Sequence, residues 1–168
     1  TLERPRYRVP MPSPYSFRVL ASERLGCVDL TPAARDFVGS AGIVDGALMA
    51  FCAHTTCSLL VNEWETGALD DLKAKIEGLF PVDAYYAHDD LTIRTENLIP
   101  GERRNGHAHV AQMIMGQSSQ LVPIAGGKLL LGRWQRLFLL ELDEPKERTV
   151  VLHAFGQSSA QSLVTNSQ

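Results

Sequence analysis

Gln120-Leu121-Val122-Pro123-Ile124, Ala125-Gly126-Gly127, Lys128-Leu129-Leu130-Leu131 and Arg133-Trp134-Gln135-Arg136-Leu137-Phe138-Leu139-Leu140-Glu141 decide the fold class. Short apolar runs flank a glycine pair suited to a hairpin turn, and a longer apolar run follows at once. Asp143-Glu144-Pro145 marks another turn, after which residues 149–155 read as a further strand. Working back toward the N-terminus, residues 17–24 and 26–30 read as a first pair of strands. Thr31-Pro32 offers an N-cap and a proline at the first helical position for a helix to about residue 41. Residues 46–53 alternate as a strand, with Leu48, Ala50, Cys52 and His54 on one face and Met49, Phe51 and Ala53 on the other; residues 57–61 return as its partner. Leu69, Leu72, Ile76 and Leu79 recur at helical spacing within 64–80, and Asn105 is a good cap for a short helix to about residue 115. Strands and helices mix without a regular βαβ alternation, which points to an α+β domain with mostly antiparallel pairing.

Composition narrows the function classes. A chain of 168 residues with 45 % hydrophobic and 21 % charged content can bury a core without disulfide or metal staples. No run approaches the roughly eighteen apolar residues that cross a bilayer, so no membrane partner is expected. Sixteen basic and nineteen acidic residues leave a net charge of -3, too little positive field to draw in nucleic acid. The odd set Cys27, Cys52 and Cys57, with no signal-like segment, suits reduced thiols in a cytoplasm. Pro5, Pro10, Pro12 and Pro14 favour an extended arm over residues 1–14. Residues 15–155 form the single domain, and the Ser- and Gln-rich segment 156–168 is expected to be a flexible tail.

Four histidines lie in polar settings near element boundaries: His54, His88, His107 and His109. Imidazole is the commonest transition-metal ligand, although a lone histidine is more often structural. His107 and His109 would share one face in a strand, whereas in a helix they point about 200° apart, so only one could serve a site. Cys52, His54 and Cys57 could form a soft metal set, but the spacing is not a usual zinc pattern and core packing is the stronger account. Glu63 and Asp70 could orient a ligand or move a proton; equally, they could be ordinary carboxylates near a helix start. Trp134-Gln135 could stack on and hydrogen-bond a planar ring, or the tryptophan could be core. Gly116-Gln117-Ser118-Ser119-Gln120 lacks the last glycine of a nucleophile elbow, and Gly126-Gly127-Lys128 lacks the upstream glycine of a P-loop.

In their order along the chain, His54-Thr55-Thr56 with Asn62-Glu63, Asp70 or Asp71, Tyr85-Tyr86-Ala87-His88, His109 ahead of Gly116, and Trp134-Gln135 after a glycine hairpin resemble the YjbQ-like family, often labelled secondary thiamine-phosphate synthase. The family typically has Ser where Thr56 stands, which keeps the hydroxyl. The resemblance implies a single α+β domain with a mostly antiparallel β-sandwich element and three helices, assembled as a homotrimer. It implies a metal cluster of His54, His88 and His109, zinc being favoured by imidazole ligands and magnesium possible, with His107 left out. By the same resemblance Glu63 and Asp70 would be catalytic, while Thr55, Thr56, Ser58, Asn62, Trp134 and Gln135 would bind a small phosphorylated molecule. The activity implied is pyrophosphate-displacing transfer that makes thiamine phosphate. The alternatives are a non-enzymatic trimer that binds a metal or a phosphometabolite, and a metal-assisted hydrolase.

Overall fold

The computed structural model describes residues 13–115 and 117–158. Most of the extended arm and most of the tail expected from the sequence therefore lie outside the described residues. Among the described residues the elements run β1 (Tyr15–Ala21), β2 (Cys27–Asp29), α1 (Thr31–Ala41), β3 (Ile43–Cys52), β4 (Cys57–Glu63), α2 (Thr66–Leu79), a 3-10 turn at Ala87–Asp89, α3 (Gly106–Met115), β5 (Ser119–Ala125), β6 (Lys128–Leu129), β7 (Gln135–Glu141) and β8 (Lys146–Ser158). They form a five-stranded sheet, β1-β8-β3-β5-β6, and a three-stranded sheet, β2-β7-β4, with antiparallel pairing throughout. The α+β class and the β-sandwich element expected from the sequence are what the chain adopts.

Between the two sheets lies the main core. Leu48, Ala50 and Cys52 of β3, Val150, Leu152 and Ala154 of β8, and Leu137 and Leu139 of β7 meet there, with Ala34 and Val38 of α1 closing one side. Alternation on β3 thus puts the predicted face inside. β7 is buried on both faces, which explains its unbroken apolar run. Its Leu140 points the other way, into a second cluster with Ile76 of α2 and Ala108 and Ala111 of α3. The molecule is layered as large sheet, small sheet, helices.

Two local expectations are corrected. β1 and β2 do not pair with each other, nor do β3 and β4; in each case the first strand joins the large sheet and the second the small one. The chain therefore crosses the sandwich at residues 53–56, carrying His54 and Thr55 over its edge. Thr31 is not the N-cap of α1 either. Leu30 occupies that position, Asp29 accepts from the Thr31 N–H at 2.8 Å, and the Thr31 hydroxyl is drawn inward to accept from the Leu137 N–H at 2.9 Å. A buried hydroxyl next to a strand finds a better use there than at the helix start. β8 continues to Ser158, three residues past the end of the domain read from the sequence. Gly156 lies opposite Gly46 of β3, where the strands approach so closely that a Cβ on either residue would collide with the other's backbone.

Candidate functional site

His88 and His109 reach the same place from different elements. Asp89, beside His88 in the 3-10 turn, accepts from the N–H groups of Asn105 and Gly106, both at 2.9 Å. It satisfies donors left open at the start of α3 and fixes the turn against the helix. One turn into α3, His109 brings its ring centroid to 4.3 Å from that of His88, with the planes tilted by 51°. His107, on the opposite side of the helix, is buried at 4 % exposure, its ring edge toward Tyr86. His109, and not His107, is thus the ring that lies beside His88.

Arg94, from the loop between the 3-10 turn and α3, organises the other wall. Its guanidinium donates to the carbonyls of His88, Glu96 and Asn97 at 3.0–3.1 Å, lies 3.3 Å from His88 Nε2, and pairs with Glu102 at 2.6 Å. The Arg94 hydrogen bond and charge hold the Glu102 carboxyl below the usual carboxylate range. Glu102 Oε2 is buried without a protein donor among the described residues. A cavity of about 510 Å³ opens over this group, lined by His88, His109, Arg94, Glu102, Asn97 and Thr55. Burial, reinforced by the neighbouring His88, lowers the His109 pKa, so its imidazole is neutral at pH 7. Arg94 and Glu102 had no signal in the sequence beyond their charge, because a loop has no periodicity to mark which polar side chains turn inward.

The other expected site residues divide. Thr55 lines the cavity, and His54 precedes it with its Nε2 accepting from the Thr149 N–H at 3.2 Å, which places the ring proton on Nδ1. Thr56 and Ser58 are buried: the Thr56 hydroxyl accepts from Arg148 at 2.9 Å, and Ser58 donates to the Gln117 carbonyl at 3.4 Å. Asn62 and Glu63 line a separate cavity of about 210 Å³ between β4 and α2, with Leu69, Leu72, Met115 and Phe138. Trp134 is exposed with Arg133 stacked at 4.5 Å, and Gln135, paired with Glu63 across the ladder, accepts from Gly132 N–H. Asp70 is exposed on α2, 3.9 Å from Lys73. Within one chain, then, the histidine cavity and the Glu63 cavity share no lining residue.

A divalent ion held by three imidazoles does not fit this arrangement. Among the described residues no three His, Cys, Asp or Glu side chains are gathered so as to hold a metal. Nε2 of His54 is taken by Thr149, and Nε2 of His88 faces the Arg94 guanidinium, a cation that opposes a second one.

Two predictions arise here. A Cβ on Gly106 would collide with Cβ of Tyr86 and lie 2.9 Å from its ring. Gly106→Ala should therefore push α3 off the turn that carries His88, at a cost of about 1–3 kcal/mol, read by chemical denaturation and by altered His88 and His109 NMR shifts. The second concerns pH. Burial first, then nearby positive charge, lowers the pKa of His54, His107 and His109. The unfolded chain, with imidazoles near 6.5, then binds more protons than the folded one, and stability must fall as pH drops through about 6.5 and continues toward the lowered folded values. Thermal midpoints measured between about pH 7.5 and 5.5 should decline, and a flat profile would show that these rings are not held neutral.

Comparison with known proteins agrees with the fold. The family model described as "UPF0047 protein YjbQ-like" matches residues 15–157. A UPF0047 protein of Archaeoglobus fulgidus is 35 % identical over 133 residues, covering 79 % of this chain and 94 % of that one. Another from Methanothermobacter thermautotrophicus is 32 % identical over 136 residues, covering 81 % and 87 %. The crystal structure of a hypothetical protein from Aeropyrum pernix K1 superposes with a TM-score of 0.75 at 33 % identity, over 87 % of this chain and all of that one. A YbjQ-like protein of unknown function from Sulfolobus solfataricus P2 gives 0.71 at 30 % identity, over 86 % and 99 %. With its family model, relatives and fold in agreement, the chain belongs to the UPF0047 family of YjbQ-like proteins.

Proposed function

We propose that the cavity over His88 and His109 is an active site for a small phosphorylated molecule, with thiamine-phosphate synthesis as the reaction to test first. The observation that carries this reading is the paired imidazoles, 4.3 Å apart, beside the Arg94–Glu102 pair. A neutral imidazole still has one N–H to donate. Donated by His109 or His88 to a leaving pyrophosphate oxygen, it offsets the charge that develops as the carbon–oxygen bond breaks and the thiazole nitrogen bonds to that carbon. Thr55 and Asn97 add a hydroxyl and an amide as donors to phosphate oxygens. The orphaned Glu102 Oε2 is an acceptor suited to an amino group on the pyrimidine.

The test supplies the pyrimidine pyrophosphate and the thiazole phosphate with magnesium and follows thiamine phosphate. Product that disappears in His109→Ala supports the reading. No product, with phosphorylated ligands still bound in calorimetry, would favour the non-enzymatic binding protein. Bound zinc is the second reading, favoured by the adjacency of His88 and His109. It requires His54 to release Thr149 and His88 to turn from Arg94, and elemental analysis of untagged protein tests it.

A homotrimer is part of the same proposal. The outer face of the large sheet carries an apolar patch: Phe51 on β3, Leu121 on β5 and Phe155 on β8 are exposed, with Met49 in register with Leu121 on one side and His153 on the other. An uncovered face of this kind suits packing against copies of the chain. Light scattering should report about three chains per particle, and Leu121→Lys should lower that number; a monomeric parent chain would remove the trimer. No helix among the described residues is long and apolar enough to cross a membrane, and neither a membrane nor a nucleic acid is proposed as partner.

A further inference from the structure

We propose that Cys52 and Cys57 form a reversible redox-modification site, which hydrogen peroxide converts into an intrachain disulfide closing a ring around His54, Thr55 and Thr56. The two sulfurs lie 3.3 Å apart, buried, one at the last residue of β3 and the other at the first of β4. A disulfide bond is about 2.05 Å long, so a shift of little more than 1 Å joins them. Because β3 and β4 belong to different sheets, the bond would fasten the sandwich together where the chain crosses its edge.

Burial as small hydrophobes accounts for either cysteine alone. It does not account for two thiols turned toward each other at the root of the segment that brings Thr55 to the cavity. The surroundings divide the chemistry between them. The two sulfurs share one hydrogen bond in which either can be the donor, and the Arg148–Glu141 pair lies close by, held to Thr56. The neighbours of Cys57, Thr56 and Ser58, are buried, whereas Cys52 is followed by the exposed Ala53, so the sulfur oxidised first is that of Cys52. Its thiolate attacks one peroxide oxygen, breaking the O–O bond to give a sulfenic acid and, after proton uptake, water. The Cys57 sulfur then attacks the Cys52 sulfur, losing its proton and displacing the hydroxyl as a second water. Two thiols and one peroxide become one disulfide and two waters. Both thiols are buried, so the peroxide must enter by displacing the connecting segment, whose Ala53 and Thr55 are exposed, and Cys27 lies outside the pair.

The test exposes the full chain to hydrogen peroxide, removes the peroxide with catalase, and alkylates with maleimide in denaturant before mass spectrometry. Expected is alkylation of Cys27 alone, a loss of about 2 Da at a peptide linking Cys52 to Cys57, and recovery of both thiols with dithiothreitol. In Cys57→Ser the sulfenic acid on Cys52 should persist and be trapped by dimedone. Alkylation of Cys52 and Cys57 after prolonged exposure, sulfinic acid on either, or a disulfide through Cys27 or between chains would overturn the proposal. The unsubstituted protein decides the matter even if the variant does not fold.

Discussion

Arg148→Met should destabilise the chain by about 3–5 kcal/mol, the range found when one member of a buried ion pair is removed and the other is left without its counter-charge. Both side chains are almost fully enclosed: Arg148 is 4 % exposed and Glu141 0 %. The guanidinium donates to both carboxylate oxygens and, through the same Nη2, to the hydroxyl and carbonyl of Thr56. Glu141 Oε1 also accepts from the Asp143 N–H at 3.0 Å. The substitution therefore strands a buried carboxylate and frees Thr56 at the sandwich edge. Urea denaturation should show the loss, and Glu141→Gln should produce one of similar sign. The double variant Arg148→Met, Glu141→Leu should recover much of it, because replacing both partners removes the stranded charge. A loss below 1 kcal/mol in Arg148→Met would mean that water reaches the pair and solvates what remains.

This pair was not legible in the sequence, and the reason is general to the site. The β3 alternation revealed which residues face the core, and the α2 periodicity and the Thr31-Pro32 start placed two helices, because each signal is local. Sheet membership is not local. β3 finds its neighbours in β8 and β5, roughly ninety and seventy residues further along the chain, while β4, only a few residues on, joins β7. A hairpin between β3 and β4 was the economical reading, and it fails because the connecting residues hold tertiary partners: His54 takes Thr149 and Thr56 takes Arg148. Arg148 explains why Thr56, and the Gln117 carbonyl why Ser58, both expected to bind substrate, serve the packing instead. Hydroxyls beside a binding loop look alike in sequence whether they face a ligand or a buried arginine. Family resemblance picked out His88 and His109, whose separation along the chain gives no hint of contact. It did not pick out Arg94, Glu102 or the Asp89 cap, which set the position of those rings.

Asn62, Glu63, Trp134 and Gln135 form their own neighbourhood at the far end of β4 and β7. Under the proposed function this separation has a consequence. Glu63→Gln should leave ligand binding at the histidine cavity intact in an isolated chain, so an effect on turnover would have to come through assembly. Comparing Glu63→Gln with Asp70→Asn, which sits exposed on α2 beside Lys73, separates the two carboxylates that the family resemblance treats alike.

His109→Ala should lower kcat/KM by roughly 10²–10⁴, the span found when a positioned proton-transfer group is lost, provided the cavity is the active site. His107→Ala serves as the contrast: that ring is buried on the other side of α3 and should be felt in stability, through a cavity, more than in turnover. The pH profile sharpens the test. Burial and the neighbouring His88 hold the His109 pKa below its ordinary 6.5. The acid limb of the activity profile should therefore lie below that value, where the ring gains a proton. His88→Asn removes one source of the depression and should move the acid limb toward higher pH while leaving residual turnover. An acid limb unchanged in His88→Asn, or a His109→Ala enzyme within a few-fold of the parent chain, would detach the chemistry from this imidazole pair.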